Sequence, residues 1–268
     1  TIKEISDLIS ESKQKGFSKI KIETAPEQEV YPLSSAQKRI YYTVQMMPES
    51  ISYNTPGGLV FDKMPDIEKL QECFETLINR HSALRTYFDI ENGEVVQRVP
   101  PFTNFKLDVI HSEGKNIDEV FANFVKPFDL SKAPLFRACL HVLAPNKCIL
   151  FIDMHHIICD GESIAIFAQE LCKLYNDETL SENYLEYVDY SVWEQEQLSS
   201  GAYSQSEKYW LKQFEGEIPV LNMPTTYARP NIQSYDGAKV YGKIDNSQKI
   251  FDLCKKLNTT PYMFLLSI

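Results

Sequence analysis

Residues 148–163 run CILFIDMHHIICDGES, from Cys148 to Ser163. The stretch Cys148-Ile149-Leu150-Phe151-Ile152 is continuously apolar, the pattern of a strand buried at the centre of a sheet. It leads straight into His155-His156. After Gly161 the period changes, and Ile164, Phe167, Ala168, Leu171, Leu174 and Tyr175 recur at helical spacing. A strand, a histidine pair and a helix in succession predict an α/β (α+β) chain with the histidines on a strand-to-helix turn.

Such a turn delivers an imidazole to the end of a sheet, where clefts form. Imidazole suits proton transfer near neutral pH, because its ordinary pKa is about 6.5. Asp160, four residues beyond His156, is near enough to shape the turn. Gly161 allows a backbone geometry or a close approach that a side chain would block, and Ser163 or Asp160 can cap the helix that follows. A lone histidine beside an apolar strand is usually a packed, hydrogen-bonded residue, but a pair followed by Asp and Gly at a strand-helix junction is less easily dismissed. A metal centre is disfavoured, since adjacent strand residues point to opposite faces and do not form a chelate. No metal is expected.

On either side the chain alternates helices and strands. A helix is expected over 34–46. Leu59-Val60-Phe61 lies in a strand within 53–61, and Asp66 caps a helix with Ile67, Leu70, Phe74, Leu77 and Ile78 on one face. Residues 84–90 and 94–99 form a hairpin around Glu91-Asn92-Gly93. Phe136, Ala138, Leu140 and Val142 alternate with Arg137, Cys139 and His141 as a strand. Further helices are expected over 187–198, 205–214 and 247–257, and Thr260-Pro261 opens another. At the start, Thr1 and Glu4 have capping-box spacing over a short helix, and residues 17–30 read as a linker. The apolar run from Tyr262 to Ile268 is a helix without an end cap. It is expected to need more chain to pack against, as in a fragment of a longer protein.

Composition narrows the function. Hydrophobic residues make up 43% of the 268, with fifteen Tyr and fifteen Phe, which suits a packed globular core. The net charge of -10, with no basic stripe, argues against nucleic acid as a partner. The six cysteines form no CxxC pair and no zinc-ligand spacing, so a reducing compartment without disulfides is expected. No apolar run approaches the length of a membrane span, and the opening residues are not a signal peptide. A cytoplasmic protein with no membrane partner is the expectation.

The residues also carry a family resemblance. His155-His156-Ile157-Ile158-Cys159-Asp160-Gly161 is similar to the HHxxxDG signature of condensation domains of nonribosomal peptide synthetases, shared with the wider chloramphenicol acetyltransferase-like superfamily. Ser34-Ser35-Ala36-Gln37-Lys38-Arg39-Ile40 resembles SxAQxRLW, with Tyr41 where Trp is frequent. Residues 80–88, RHSALRTYF, resemble RHxxLRTxF. Pro127-Phe128-Asp129-Leu130 with Ala133-Pro134-Leu135 resembles the segment before the catalytic strand, and residues 187–193, YVDYSVW, resemble YxDYxxW. These blocks stand in the family's order and cover 29–268.

The resemblance implies a fold of two similar lobes around a cleft, each a mixed sheet flanked by helices. Residues 1–28 would be the tail of an upstream carrier domain plus linker, 29–230 the N-terminal lobe, and 231–268 the crossover and truncated start of the second lobe. The implied reaction is amide formation between an acyl or peptidyl thioester on the upstream carrier and the amine of an aminoacyl thioester on the downstream carrier. The fragment alone would be inactive. No cofactor is bound directly, because substrates ride on the phosphopantetheine of neighbouring carriers. The implied partners are the upstream and downstream peptidyl carrier domains and an adenylation domain of the same synthetase. His156 matches the catalytic position, as general base or as positioning group. His155 is expected to pack beneath it. Asp160 is expected to pair with an arginine that lies beyond Ile268, or with Arg85 as a local alternative, unless Arg85 only supports the lobe. Gly161 is expected to keep the substrate channel open. The alternatives are an epimerization domain, a coenzyme A-dependent acyltransferase of the same superfamily, and a structural or docking lobe. The Ala36-Gln37 and Arg80–Phe88 blocks fit condensation better than epimerization, and the carrier-like helix at the start argues against a diffusible thioester.

Overall fold

The structure, a computed structural model, describes residues 21–268 apart from 102–103, 183–184, 223, 232–236 and 239. The helix expected at the start of the chain lies outside the described residues. The chain divides into two compact units, with the boundary in sequence between Pro219 and Val220.

In the first unit, β1 (Tyr31–Pro32) leads into α1 (Ser35–Met46). Ser34 caps that helix: its side chain accepts from the Gln37 amide, and the Gln37 side chain accepts from the Ser34 amide. Then come β2 (Asn54–Phe61), α2 (Ile67–Arg80) and a 3-10 turn (Ser82–Arg85). Asp66 caps α2 as expected. The hairpin is β3 (Tyr87–Glu91) and β4 (Glu94–Arg98). Its two turn residues, Asn92 and Gly93, have φ of 53° and 84°, the left-handed pair a tight hairpin requires. Leu84 and Arg85, expected in the first arm, lie in the 3-10 turn instead.

After the hairpin come β5 (Asp108–His111), α3 (Ile117–Phe124), β6 (Phe136–Ala144), β7 (Lys147–His155), α4 (Gly161–Tyr175), α5 (Tyr187–Ser199) and α6 (Ser204–Gln213). A four-stranded sheet has the order β2-β7-β6-β5. β7 pairs antiparallel with both neighbours, whereas β5 runs parallel to β6. This is the expected mixed sheet flanked by helices, with the apolar strand inside it. A three-stranded sheet, β1-β4-β3, stands apart.

Strand alternation decides which face packs. Phe136, Ala138, Leu140 and Val142 of β6 and Cys148, Leu150 and Met154 of β7 share a core with Leu70, Phe74, Leu77 and Ile78 of α2 and Phe167 and Leu171 of α4. The two helices therefore cover one face of the sheet. A carboxylate at their junction ties them further: Glu170 of α4 accepts from Arg80 Nε at 3.2 Å and lies 2.6 Å from His81 Nε2.

In the second unit, α7 (Ser247–Lys256) is followed by α8 (Pro261–Leu266). The Thr260 side chain accepts from the Met263 amide, and Pro261 occupies the first turn, as the sequence suggests.

Candidate active site

The β7 backbone ends in two hydrogen bonds that fix the histidine pair from both sides. His155 N–H donates to the Leu135 carbonyl at 2.9 Å, and His156 N–H donates to the Tyr53 carbonyl at 2.8 Å. Strand alternation then sends the two rings apart. His155 is 2% exposed, with Phe128 edge-on at 5.9 Å and Tyr53 at 6.3 Å. His156 is exposed.

Their hydrogen bonds assign opposite tautomers. His155 Nδ1 accepts from the Ile157 amide at 3.1 Å, so its proton sits on Nε2. His156 Nδ1 lies 2.6 Å from the Cys159 carbonyl, which can only accept, so Nδ1 carries the proton. The lone pair of His156 is therefore on Nε2, on an exposed ring. Burial, with His156 as a neighbour, pushes the pKa of His155 down to about 4. The inner ring stays neutral and supports the outer one.

Asp160 caps α4. Its Oδ1 accepts from the Ser163 amide at 2.9 Å and from the Ser163 hydroxyl at 2.7 Å, while Ser163 Oγ accepts from the Asp160 amide at 3.2 Å. These bonds to Ser163 hold the carboxyl below the usual range. Gly161 does not sit in the left-handed region. Nothing lies within 4 Å of where its Cβ would stand, so among the described residues neither its backbone geometry nor a close approach requires glycine. It opens α4 with free space beside it.

Arg85 is not the partner of Asp160. Its Nη1 donates to the carbonyls of Ile78 and Asn79 at 2.5 and 2.7 Å, and its Nε to that of Pro100 at 3.0 Å. It supports the lobe by closing the end of α2, and desolvation lowers its pKa.

His156 and Asp160 help to line a cavity of about 220 Å³ that reaches Gln37, Ile40, Ala83 and Tyr187. The polar groups at its back are already engaged with one another. Gln37 Nε2 donates to Gln97 Oε1 at 3.2 Å, Gln97 Nε2 donates to the Pro32 carbonyl at 2.8 Å, and Tyr187 Oη lies 2.8 Å from Ser34 Oγ. Asp189 is buried and accepts from the amides of Ala25 and Glu186 at 2.8 and 2.7 Å. Gln37, Tyr187 and Asp189 thus brace the lobe around the site.

Sequence reasoning gave Asp153, Asn54 and Arg137 no place among the candidate site residues. Asp153 sits two residues before the pair and is wholly buried. The signal was present: an acidic residue inside an otherwise apolar strand, opposite an arginine on the neighbouring strand. Among the described residues, no group of three His, Cys, Asp or Glu is placed to hold a metal ion, and no helix is long and apolar enough to cross a membrane.

Comparison with known proteins agrees with this geometry. The condensation domain family model matches residues 27–268. Surfactin synthase subunit 1 of Bacillus subtilis (strain 168) is 39% identical over 269 residues, covering 100% of this chain and 7% of that protein. Bacitracin synthase 3 of Bacillus licheniformis is 38% identical over 269 residues, covering 100% of this chain and 4% of that protein. The chain therefore spans only a small part of these relatives. Among solved structures, the X-domain in complex with OxyB from teicoplanin biosynthesis matches with a TM-score of 0.72 at 22% identity, over 81% of this chain and 50% of that one. The starter condensation domain of rhizomide synthetase RzmA matches with a TM-score of 0.63 at 23% identity, over 71% of this chain and 49% of that one. These likenesses show the fold, a mixed sheet flanked by helices. A mixed sheet that ends in a histidine pair and a capped helix, with a family match over 27–268, makes this chain a member of the condensation domain family of nonribosomal peptide synthetases.

Proposed function

We propose that this chain is the lobe of a condensation domain that carries the reactive histidine, and that the domain joins two carrier-bound thioesters by an amide bond. The amine of the downstream aminoacyl thioester attacks the carbonyl carbon of the upstream acyl thioester. The tetrahedral intermediate collapses, the C–S bond breaks, and the upstream arm leaves as a thiol. The proton lost by the amine is the one the leaving sulfur needs, so the balance closes without a further reactant. Phosphopantetheine arms on the neighbouring carrier domains bring both substrates, which supplies proximity. An adenylation domain of the same synthetase loads the acceptor.

One observation carries this reading. The Nδ1–H of His156 is committed to the Cys159 carbonyl at 2.6 Å, which leaves Nε2 of an exposed ring as the proton acceptor. That arrangement suits a general base toward the amine, or a group that orients it. The solved structures of this fold are about twice as long as the region they share with this chain, which covers 50% and 49% of them. The 268 residues alone are therefore expected to yield no product.

The test uses the domain extended through its second lobe, with carriers loaded as acyl donor and aminoacyl acceptor, and intact-mass detection of dipeptide on the acceptor carrier. The expected result is product from the native sequence and a loss of about 10²–10⁴-fold in His156→Ala. Equal rates would overturn the reading. Inversion of a carrier-bound residue without dipeptide would identify an epimerization domain, and product from a coenzyme A donor without an upstream carrier would identify the diffusible-thioester enzyme.

A further inference from the structure

Asp153 is 0% exposed, and a carboxylate is costly to bury unless it is paired and hydrogen-bonded. Asn54 Nδ2 donates to its Oδ2 at 2.7 Å and also lies 2.9 Å from the Lys126 carbonyl. Arg137 Nη1 stands 3.7 Å from the same Oδ2. It donates to the Lys126 carbonyl at 2.8 Å, and Arg137 Nη2 donates to that of Pro127 at 3.2 Å. The guanidinium also lies 3.7 Å from the centre of the Phe128 ring. Asp153 Oδ1 has no well-formed hydrogen-bond partner among the described residues. Burial pushes the carboxyl up against the opposing pull of Asn54, Arg137 and the Thr55 amide. Packing alone does not call for this arrangement, since an apolar side chain would fill β7 without the desolvation cost.

The brace is joined to the histidine pair. Asn54 is the β2 residue in register with His155, and the residue before it, Tyr53, holds the His156 amide. Phe128, under the Arg137 guanidinium, meets the His155 ring edge-on. The start of β2 and the 126–128 segment are thus tied together through Asn54 and Arg137, the two groups that face the carboxylate, and each also contacts the histidine pair, through Tyr53 and Phe128.

We infer that Asp153, Asn54 and Arg137 are positioning residues for His156: they touch no substrate, but fix the backbone from which its imidazole projects and so keep Nε2 on its line of approach. The inference rests on the proposed role of His156. Two variants test it. Asp153→Asn keeps the size of the side chain and removes the buried charge, and Arg137→Met removes the opposite charge and keeps the apolar stem. In the 268-residue chain, nitrogen-detected ring spectra give the tautomer of His156, and peptide mass mapping gives its rate of carbethoxylation by diethyl pyrocarbonate.

The expected result is a native circular dichroism spectrum in at least one variant. In that variant the Nδ1–H tautomer loses its dominance and the carbethoxylation rate changes about threefold or more. Asp118→Ala, at the exposed start of α3, should change neither. In the loaded-carrier assay with the complete domain, the same variant should lower kcat about tenfold with KM for the acceptor carrier unchanged, as expected for lost orientation. Folded variants with a native tautomer and a native rate would overturn the inference. Failure of both variants to fold would also overturn it, because the brace would then serve stability alone. Full activity of His156→Ala would instead overturn the proposed function and leave the tautomer result standing.

Discussion

His155 and His156 are neighbours in sequence with opposite duties, and the difference comes from which ring nitrogen each has free. The inner ring accepts from the Ile157 amide, a bond it can keep only while neutral, and burial opposes its protonation. This makes stability depend on acid in a defined direction. The folded-state pKa is about 4 and the unfolded value about 6.5. Above pH 6.5 neither state is protonated, and this group's contribution is fully present. As pH falls from 6.5 to 4 the unfolded state takes up a proton that the folded state refuses, so stability drops by about 3 kcal/mol in all. Urea unfolding at pH 7, 6, 5 and 4.5 should show that loss in the native chain. It should be largely absent in His155→Asn, whose side-chain oxygen can still accept from Ile157. Parallel pH profiles for the two proteins would remove His155 as the cause. The sequence made this pair visible because strand alternation alone sends one ring inward. It did not reveal what surrounds the inner ring, since Tyr53 and Phe128 arrive from distant segments.

At the scale of elements, the turn between β7 and α4 is held by a cap, and Asp160 is that cap. Arg85, the local candidate for its partner, is engaged elsewhere, and Ser163, three residues on, engages the carboxylate through both its amide and its hydroxyl, the capping role the sequence suggests. Asp160→Asn keeps an acceptor at the cap and should stay within about 0.5 kcal/mol of the native protein, whereas Asp160→Ala should lose about 1 kcal/mol. Denaturant midpoints measure both. A loss in Asp160→Asn as large as that in Asp160→Ala would mean that the charge matters more than the cap. Most elements were legible because a local signal marks them: Asp66 before α2, Asn92-Gly93 in the hairpin, Gly161 at the change of period. β5 and α3 were not predicted. β5 is four residues long, and its pairing in the sheet is parallel to β6, about thirty residues later. No local pattern encodes such a pairing. α3 carries Ile117, Val120, Phe121 and Phe124 at i, i+3, i+4 and i+7 behind an Asn116 cap, so its signal was present in the sequence and was passed over. Arg85 illustrates the same limit as β5: its three carbonyl partners depend on where α2 ends and where Pro100 passes, neither of which a motif states.

Across the whole molecule, the described residues around His156 all belong to the first unit, from Gln37 on α1 to Tyr187 on α5. The thiols test how well the chain is packed as a whole. All six cysteines are free; five are buried and Cys172 is exposed. Burial also pushes the Cys139 thiol up to about 11 and the Cys159 thiol up to about 12, so little reactive thiolate exists there near neutral pH. An aromatic disulfide reagent at pH 8 should therefore titrate one thiol quickly in the folded chain and all six after unfolding in guanidinium. Cys172→Ser should abolish the fast phase. The remaining five should then react at the rate at which the structure opens, so their order of labelling reports local stability. Cys159, beneath the histidine turn, and Cys148, in the central strand, should be among the last. Rapid labelling of Cys159 in the native chain would mean that the turn opens far more readily than its hydrogen bonds imply, and that His156 is not held in the single tautomer that its proposed role requires.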